Sequence, residues 1–390
     1  MPLLAQSASF QFLEKPGAYP VGLKVVEQYD RSRNFPALSD ASGKLPAKGG
    51  PRPLQTLIWY PSRAGAGKPM TVGDYARLAD TELHFGAPDE KGNKWRMQLK
   101  ASFDIPLWAV RDAQPAKGRY PVLIYAPSDS SIAWENADLC EYLASHGYIV
   151  IASPSMGVST RDMTDDLDGI HAQARDISFL ISYASTLPNA DAAHVVVVSW
   201  SWGGISSLFA AARDPRIGAL LEMDGSMRYF PGLVKKAGDV HPEKLGIPLL
   251  FFTSEYPNYF EDMDGYDGPP GDLVGPSVLN AWKHGDLYTV NMVGMAHGEF
   301  SSMFQRRKSA ECFAEDQIAD YGRDDANQGY AWVARYSLSF LDAVTKHDAM
   351  AGAFLKRTPA ENGVPKHFMA IRFRAAQQPA AIPAEEKTSP

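Results

Sequence analysis

From residue 120 onward, apolar runs of strand length recur at regular intervals, and each is followed by a segment with helical spacing. The runs occupy residues 120–126 (YPVLIYA), 148–153 (YIVIAS), 194–200 (HVVVVSW), 217–223 (IGALLEM), 247–253 (IPLLFFT) and 287–293 (LYTVNMV). Unbroken apolar runs, as opposed to alternating ones, suit strands covered on both faces. Between them the pattern predicts a helix over 134–145 that stops at Gly147. A second covers 165–187, with Ile177, Leu180, Ile181 and Ala184 on one face, a third about 202–213, and a closing helix 328–346. This alternation predicts an α/β fold with a mostly parallel central sheet and helices on both faces. Sheets of that kind carry their chemistry at the carboxyl ends of the strands.

The flanks are less regular. Residues 1–53 read as an N-terminal extension with one strand at 21–28, and 54–60 as a further strand closed by Pro61. The main domain then spans 54–350. Within it, 63–114 reads as a decoration with one helical pattern at 72–83, and 255–276, rich in Gly, Pro, Asp and Tyr, as a loop insertion. Residues 351–390 read as a C-terminal extension with a disordered end.

Composition narrows the function classes. Hydrophobic residues make up 45% of the 390 and charged residues 21%, enough for a large core. The formal charge of −7 is dispersed and no basic stripe occurs, which argues against nucleic acid as a partner. No apolar run approaches the roughly 18–20 residues needed to cross a bilayer. The start, MPLLAQSAS, matches the stump of a removed secretory signal and a periplasmic or secreted protein; an ordinary cytosolic start is the alternative. The two cysteines, Cys140 and Cys312, read as free thiols, and no spaced Cys/His cluster suggests zinc.

The sharpest chemical feature is HVVVVSWSWGG at 194–204, an apolar strand running directly into a serine turn and then a helix. A nucleophile elbow needs this context: a tight strand-to-helix turn that lifts one hydroxyl above the sheet edge. Ser201 is the candidate nucleophile, and the Trp202 amide at the helix start a candidate oxyanion donor. The competing reading makes Ser201 a plain helix N-cap. Position 199, where such turns usually carry Gly, holds Ser. His297 follows the last core strand and is the candidate general base. Two carboxylates compete to orient it. Asp224 closes the strand after the nucleophile and Glu255 the one after that, and both keep the order Ser, acid, His. The second oxyanion donor is expected in the loop after residue 126, at the Asp129 amide. Trp200, Trp202, Tyr256, Tyr259 and Phe260 are candidates to line an acyl pocket, though aromatics at a sheet edge suit a core equally well.

Four stretches, YPVLIY at 120–125 with LASHGYIVI at 143–151, SWSWGG at 199–204, PLLFFTSEY at 248–256 and AHGEF at 296–300, give the chain a resemblance to a known group. It is similar to the platelet-activating-factor acetylhydrolase branch of the α/β-hydrolases, close to the dienelactone hydrolases, over about residues 54–344. The resemblance implies an α/β-hydrolase fold and Asp224 as the triad acid in preference to Glu255. It also implies a serine esterase acting without cofactor or metal on a small-molecule or lipid-like ester. Two positions depart from the pattern: Ser199 for the first elbow Gly, and Pro127-Ser128 for the His-Gly of the oxyanion loop. A lactone, polyester or peptide hydrolase with the same triad, or a non-catalytic binding protein on this scaffold, are the alternatives.

Overall fold

The structure is a computed structural model and describes residues 10–36, 49–65, 67–83, 85, 94–254, 278–307 and 321–377. Six central strands form where the apolar runs stand: β5 (Tyr120–Ala126), β6 (Ile149–Ala152), β7 (Ala190–Trp200), β8 (Ile217–Met223), β9 (Leu249–Thr253) and β10 (Leu287–Met292). They are mutually parallel, in the order β10-β9-β8-β7-β5-β6. β5 lies between β6 and β7, so the chain turns back across the sheet there, and this switch brings the carboxyl ends of β5 and β7 side by side.

Because side chains alternate along a strand, each run feeds two cores. Val195 and Val197 point into one with Ile177, Ile181, Ile205 and Leu208. These come from α4 (Leu167–Ala184) and α5 (Trp202–Ala211). Val196 and Val198 point into the other, with Leu139 and Leu143 of α3 (Ala137–Ser145) and Tyr330 and Phe340 of α9 (Arg323–Thr345). The α4 start is fixed by Asp166, whose side chain accepts from the Gly169 amide at 3.0 Å.

The flanks join the same sheet. β1 (Val21–Phe35) and β2 (Gly50–Pro61) pair antiparallel, and β2 joins β6 antiparallel. Beyond β1 lie β4 (Pro106–Arg111) and β3 (Pro69–Thr71), the latter running into the short helix α1 (Val72–Leu78). The stretch read as a decoration thus supplies two strands as well as a helix. At the opposite edge, β11 (Met369–Arg374), within the segment read as an extension, pairs antiparallel with β10. The sheet has eleven strands among the described residues, and Glu255, Tyr256, Tyr259, Phe260 and Cys312 lie outside these residues. Cys140 is a buried free thiol.

Candidate active site

The carboxyl ends of β7, β8 and β10 converge on one point. At the end of β7 the backbone of Ser201 is forced to φ 54°, ψ −123°, a conformation that costs a non-glycine residue about 1–3 kcal/mol. Three hydrogen bonds hold it there. The Ser201 amide donates to the Met223 carbonyl at 3.1 Å, and the Ser201 carbonyl accepts from the amides of Gly204 at 2.9 Å and Ser226 at 2.8 Å. The Ser201 side chain makes no capping bond to α5, which removes the basis for reading it as an N-cap. Its Oγ lies 2.9 Å from His297 Nε2 instead.

Asp224 follows β8 immediately and also takes a positive φ, 47°. Its carboxyl is 3% exposed, whereas the His297 side chain is 46% exposed and open to an incoming molecule. Asp224 Oδ2 stands 2.6 Å from His297 Nδ1. Oδ1 accepts from the Tyr229 hydroxyl at 2.6 Å and the Ser254 amide at 3.2 Å. Burial pushes this carboxyl up, but the His297 hydrogen bond and charge, then Tyr229 and Ser254, outweigh it and hold its pKa below the ordinary value. An ionised carboxylate only accepts, so His297 Nδ1 donates to Asp224, which turns Nε2 toward the Ser201 hydroxyl.

His297 opens a 3-10 turn, His297–Phe300, just beyond β10. Trp200 Nε1 donates to the His297 carbonyl at 3.1 Å, and the two rings lie 5.3 Å apart. At 3% exposure Trp200 supports the histidine turn from within, because its outward indole nitrogen finds a carbonyl there. Two neighbouring polar residues, Glu135 and Asn136, anchor the rest of the turn. The Glu135 carbonyl accepts from Met303 N at 3.1 Å and Ser301 Oγ at 2.7 Å. Asn136 Nδ2 donates to the Phe300 carbonyl at 2.8 Å, and its Oδ1 accepts from Ser302 N at 2.9 Å.

The same Glu135 organises the loop after β5. Its Oε1 accepts from the Ser128 amide at 2.8 Å and the Tyr125 hydroxyl at 2.8 Å, and its Oε2 from Ser128 Oγ at 2.7 Å. Burial pushes its pKa up to about 7, with these donors opposing. The Ser128 amide is therefore occupied, while the Asp129 amide meets no acceptor among the described residues. Gly203 brings α5 against this loop: a Cβ there would stand 2.2 Å from the Ala126 carbonyl oxygen, so only glycine permits the approach. Trp202 itself is buried, its ring 5.5 Å from that of Phe230. Sequence reasoning misses Tyr229, Glu135, Asn136 and the Trp200 contact. A buried acid-amide pair at 135–136 is the one hint, since two such side chains need partners. Among the described residues no group of three His, Cys, Asp or Glu side chains is arranged to hold a metal.

The parallel sheet with its reversal at β5 and the strained serine turn between β7 and α5 define an α/β-hydrolase fold. No protein-family profile matches this chain, and no curated protein matches it in sequence. In structure it is similar to the ferulic acid esterase from Streptomyces cinnamoneus. The TM-score is 0.58 and the identity 17%, over 94% of this chain and 99% of that one. With 759 solved chains matching, the architecture is widely shared, and the likeness speaks for the fold while the chemistry rests on the site.

Proposed function

We propose that this chain is a serine hydrolase that cleaves carboxylic esters through an acyl-enzyme. The observation that carries the reading is the continuous line from Ser201 Oγ to His297 Nε2 at 2.9 Å and from His297 Nδ1 to Asp224 Oδ2 at 2.6 Å. As Ser201 Oγ attacks the ester carbonyl, its proton passes to His297 Nε2, and the carbonyl electron pair moves onto oxygen. The amides of Trp202 and Asp129 stabilise that oxyanion, both free of backbone acceptors among the described residues. The C–O bond to the alcohol breaks, and the leaving oxygen takes the proton from His297. Water then repeats the sequence in reverse to release the acid and restore Ser201. Asp224 keeps the imidazole in the productive tautomer and stabilises it when charged. This scheme uses only groups of the chain.

An ester of a small or lipid-like molecule is the substrate class that best fits. The resemblance to acetylhydrolases and dienelactone hydrolases points there, and the structural neighbour is itself named an esterase. A non-catalytic scaffold fits less well, because binding alone requires no hydroxyl, imidazole and carboxylate in one hydrogen-bonded line. Ser201→Ala is expected to lower turnover of short p-nitrophenyl esters about 10⁵-fold or more with the melting temperature unchanged. A fluorophosphonate probe is expected to label the native chain at Ser201. Undiminished turnover in the alanine variant overturns the assignment.

A further inference from the structure

Two residues before Ser201 and two residues before Asp224, Ser199 and Glu222 face each other as register partners on β7 and β8. Both are fully buried, and Ser199 Oγ donates to Glu222 Oε2. The proposed chemistry uses neither. The Glu222 carboxyl nevertheless touches each segment that carries the chemistry. A Cβ at Gly204, in the first turn of α5, would lie 2.5 Å from Oε2 and 2.6 Å from the Gly225 Cα. A Cβ at Gly225, next to Asp224, would lie 2.8 Å from the same oxygen. One carboxyl thus sits against the end of the nucleophile strand, the helix start that offers the Trp202 amide, and the turn that presents Asp224.

Among the described residues no cation accompanies it, Glu222 Oε1 has no partner, and the Ser199 hydroxyl is the only group opposing the effect of burial, which drives the pKa well above the ordinary carboxylate range. Burial thus favours the protonated form of this side chain. A glycine at 199 would leave Oε2 as bare as Oε1, so the serine that departs from the usual elbow and the glutamate beneath it are explained together.

We propose that Ser199 and Glu222 form a positioning pair that sets the separation between the nucleophile turn and the acid turn. The proposal rests on the serine-hydrolase reading above. Ser199→Ala, which removes one oxygen atom from the interior, is expected to lower kcat on a short p-nitrophenyl ester about 10- to 100-fold with KM within about twofold. The fluorophosphonate labelling rate is expected to fall in parallel. Glu222→Ala is expected to do the same, the double variant to be no worse than Glu222→Ala alone, and Glu222→Gln to recover kcat to within about threefold of the native value.

Turnover is counted per labelled site, so loss of folded protein does not imitate the effect, and Ser199→Ala together with Glu222→Gln suffices if Glu222→Ala fails to fold. A kcat within twofold of native in Ser199→Ala, or additive losses in the double variant, overturns the pair while leaving the hydrolase reading in place. A native chain that neither labels nor turns over removes the hydrolase reading and the pair with it.

Discussion

Two buried carboxylate sites in this molecule are held by opposite means. Beneath β1 and β2, Asp176 of α4 receives Arg52 through two bonds, Nε to Oδ1 at 2.8 Å and Nη2 to Oδ2 at 2.7 Å, and Arg33 through a third at 2.5 Å. Arg52 also donates to the carbonyls of Met156 and Gly157, which ties down the segment after β6, and Arg33 meets a second carboxylate, Asp30, at 2.6 Å, so each charge in the cluster is met. At the end of β8, Glu222 and Asp224 stand two residues apart and neither touches an arginine among the described residues. Their donors are hydroxyls, an amide and an imidazole. A guanidinium locks a carboxylate in place, whereas a histidine can give up or take a proton while the carboxylate stays. On the proposed hydrolase reading, the first arrangement serves the fold and the second serves chemistry.

Removing each acid tests the contrast. Asp224→Asn keeps the shape but donates where the carboxylate accepted, which turns the imidazole to the wrong tautomer. The expected loss in kcat is about 10⁴-fold, with little change in unfolding midpoint. Asp176→Ala leaves buried Arg52 with carbonyl partners but no carboxylate, and Arg33 with Asp30 alone. Its expected cost is about 3–5 kcal/mol in urea unfolding, with turnover per labelled site unchanged. If Asp224→Asn unfolds the chain, or Asp176→Ala abolishes turnover in folded protein, the division of roles fails.

What can be read in the linear order follows the same line. Ser201, Asp224 and His297 each stand at or just beyond the end of an apolar run, and a parallel sheet gathers such ends at one edge, so their meeting is foreseeable from order alone. Partnerships among interior polar groups are not. Glu222 is a break in a hydrophobic run, and its hydroxyl partner is 23 residues away on the neighbouring strand. The choice of Asp224 over Glu255 needs resemblance as well as spacing. The edge strands escape notice because they are short and mixed: β4 meets β1 at two register positions, and β11 has one buried residue, Met369, followed by exposed and half-buried ones. Helix α3 begins at Ala137, three residues later than its pattern suggests. The preceding turn is taken up by Glu135 and Asn136 reaching to the histidine turn.

Glu135 extends the comparison to a third acid with hydroxyl and amide donors but no cation among the described residues, and its effect is expected in stability as a function of pH. Its folded pKa, about 7, lies above the ordinary 4.5, so the native state holds this proton more tightly than the unfolded chain does. The resulting stability is complete below about pH 4.5 and is lost as pH rises through about 7. Asp224 runs the other way, with a lowered pKa whose contribution fades only in acid below the ordinary 3.8, outside this window. Glu82 and Glu141, raised to about 6 and about 8, act in the same direction as Glu135, so they steepen the native profile without distinguishing its source. The difference between native protein and Glu135→Gln isolates one residue. The amide can accept from Ser128 N and Tyr125 and donate to Ser128 Oγ, so the loop and its turnover are expected to persist. Urea unfolding between pH 4.5 and 7.5 should then show the native protein losing about 3 kcal/mol more than the variant. Parallel profiles would mean that this carboxyl is already ionised at the lower pH, and that hydroxyl and amide donors alone can stabilise a buried charge as arginine does at Asp176.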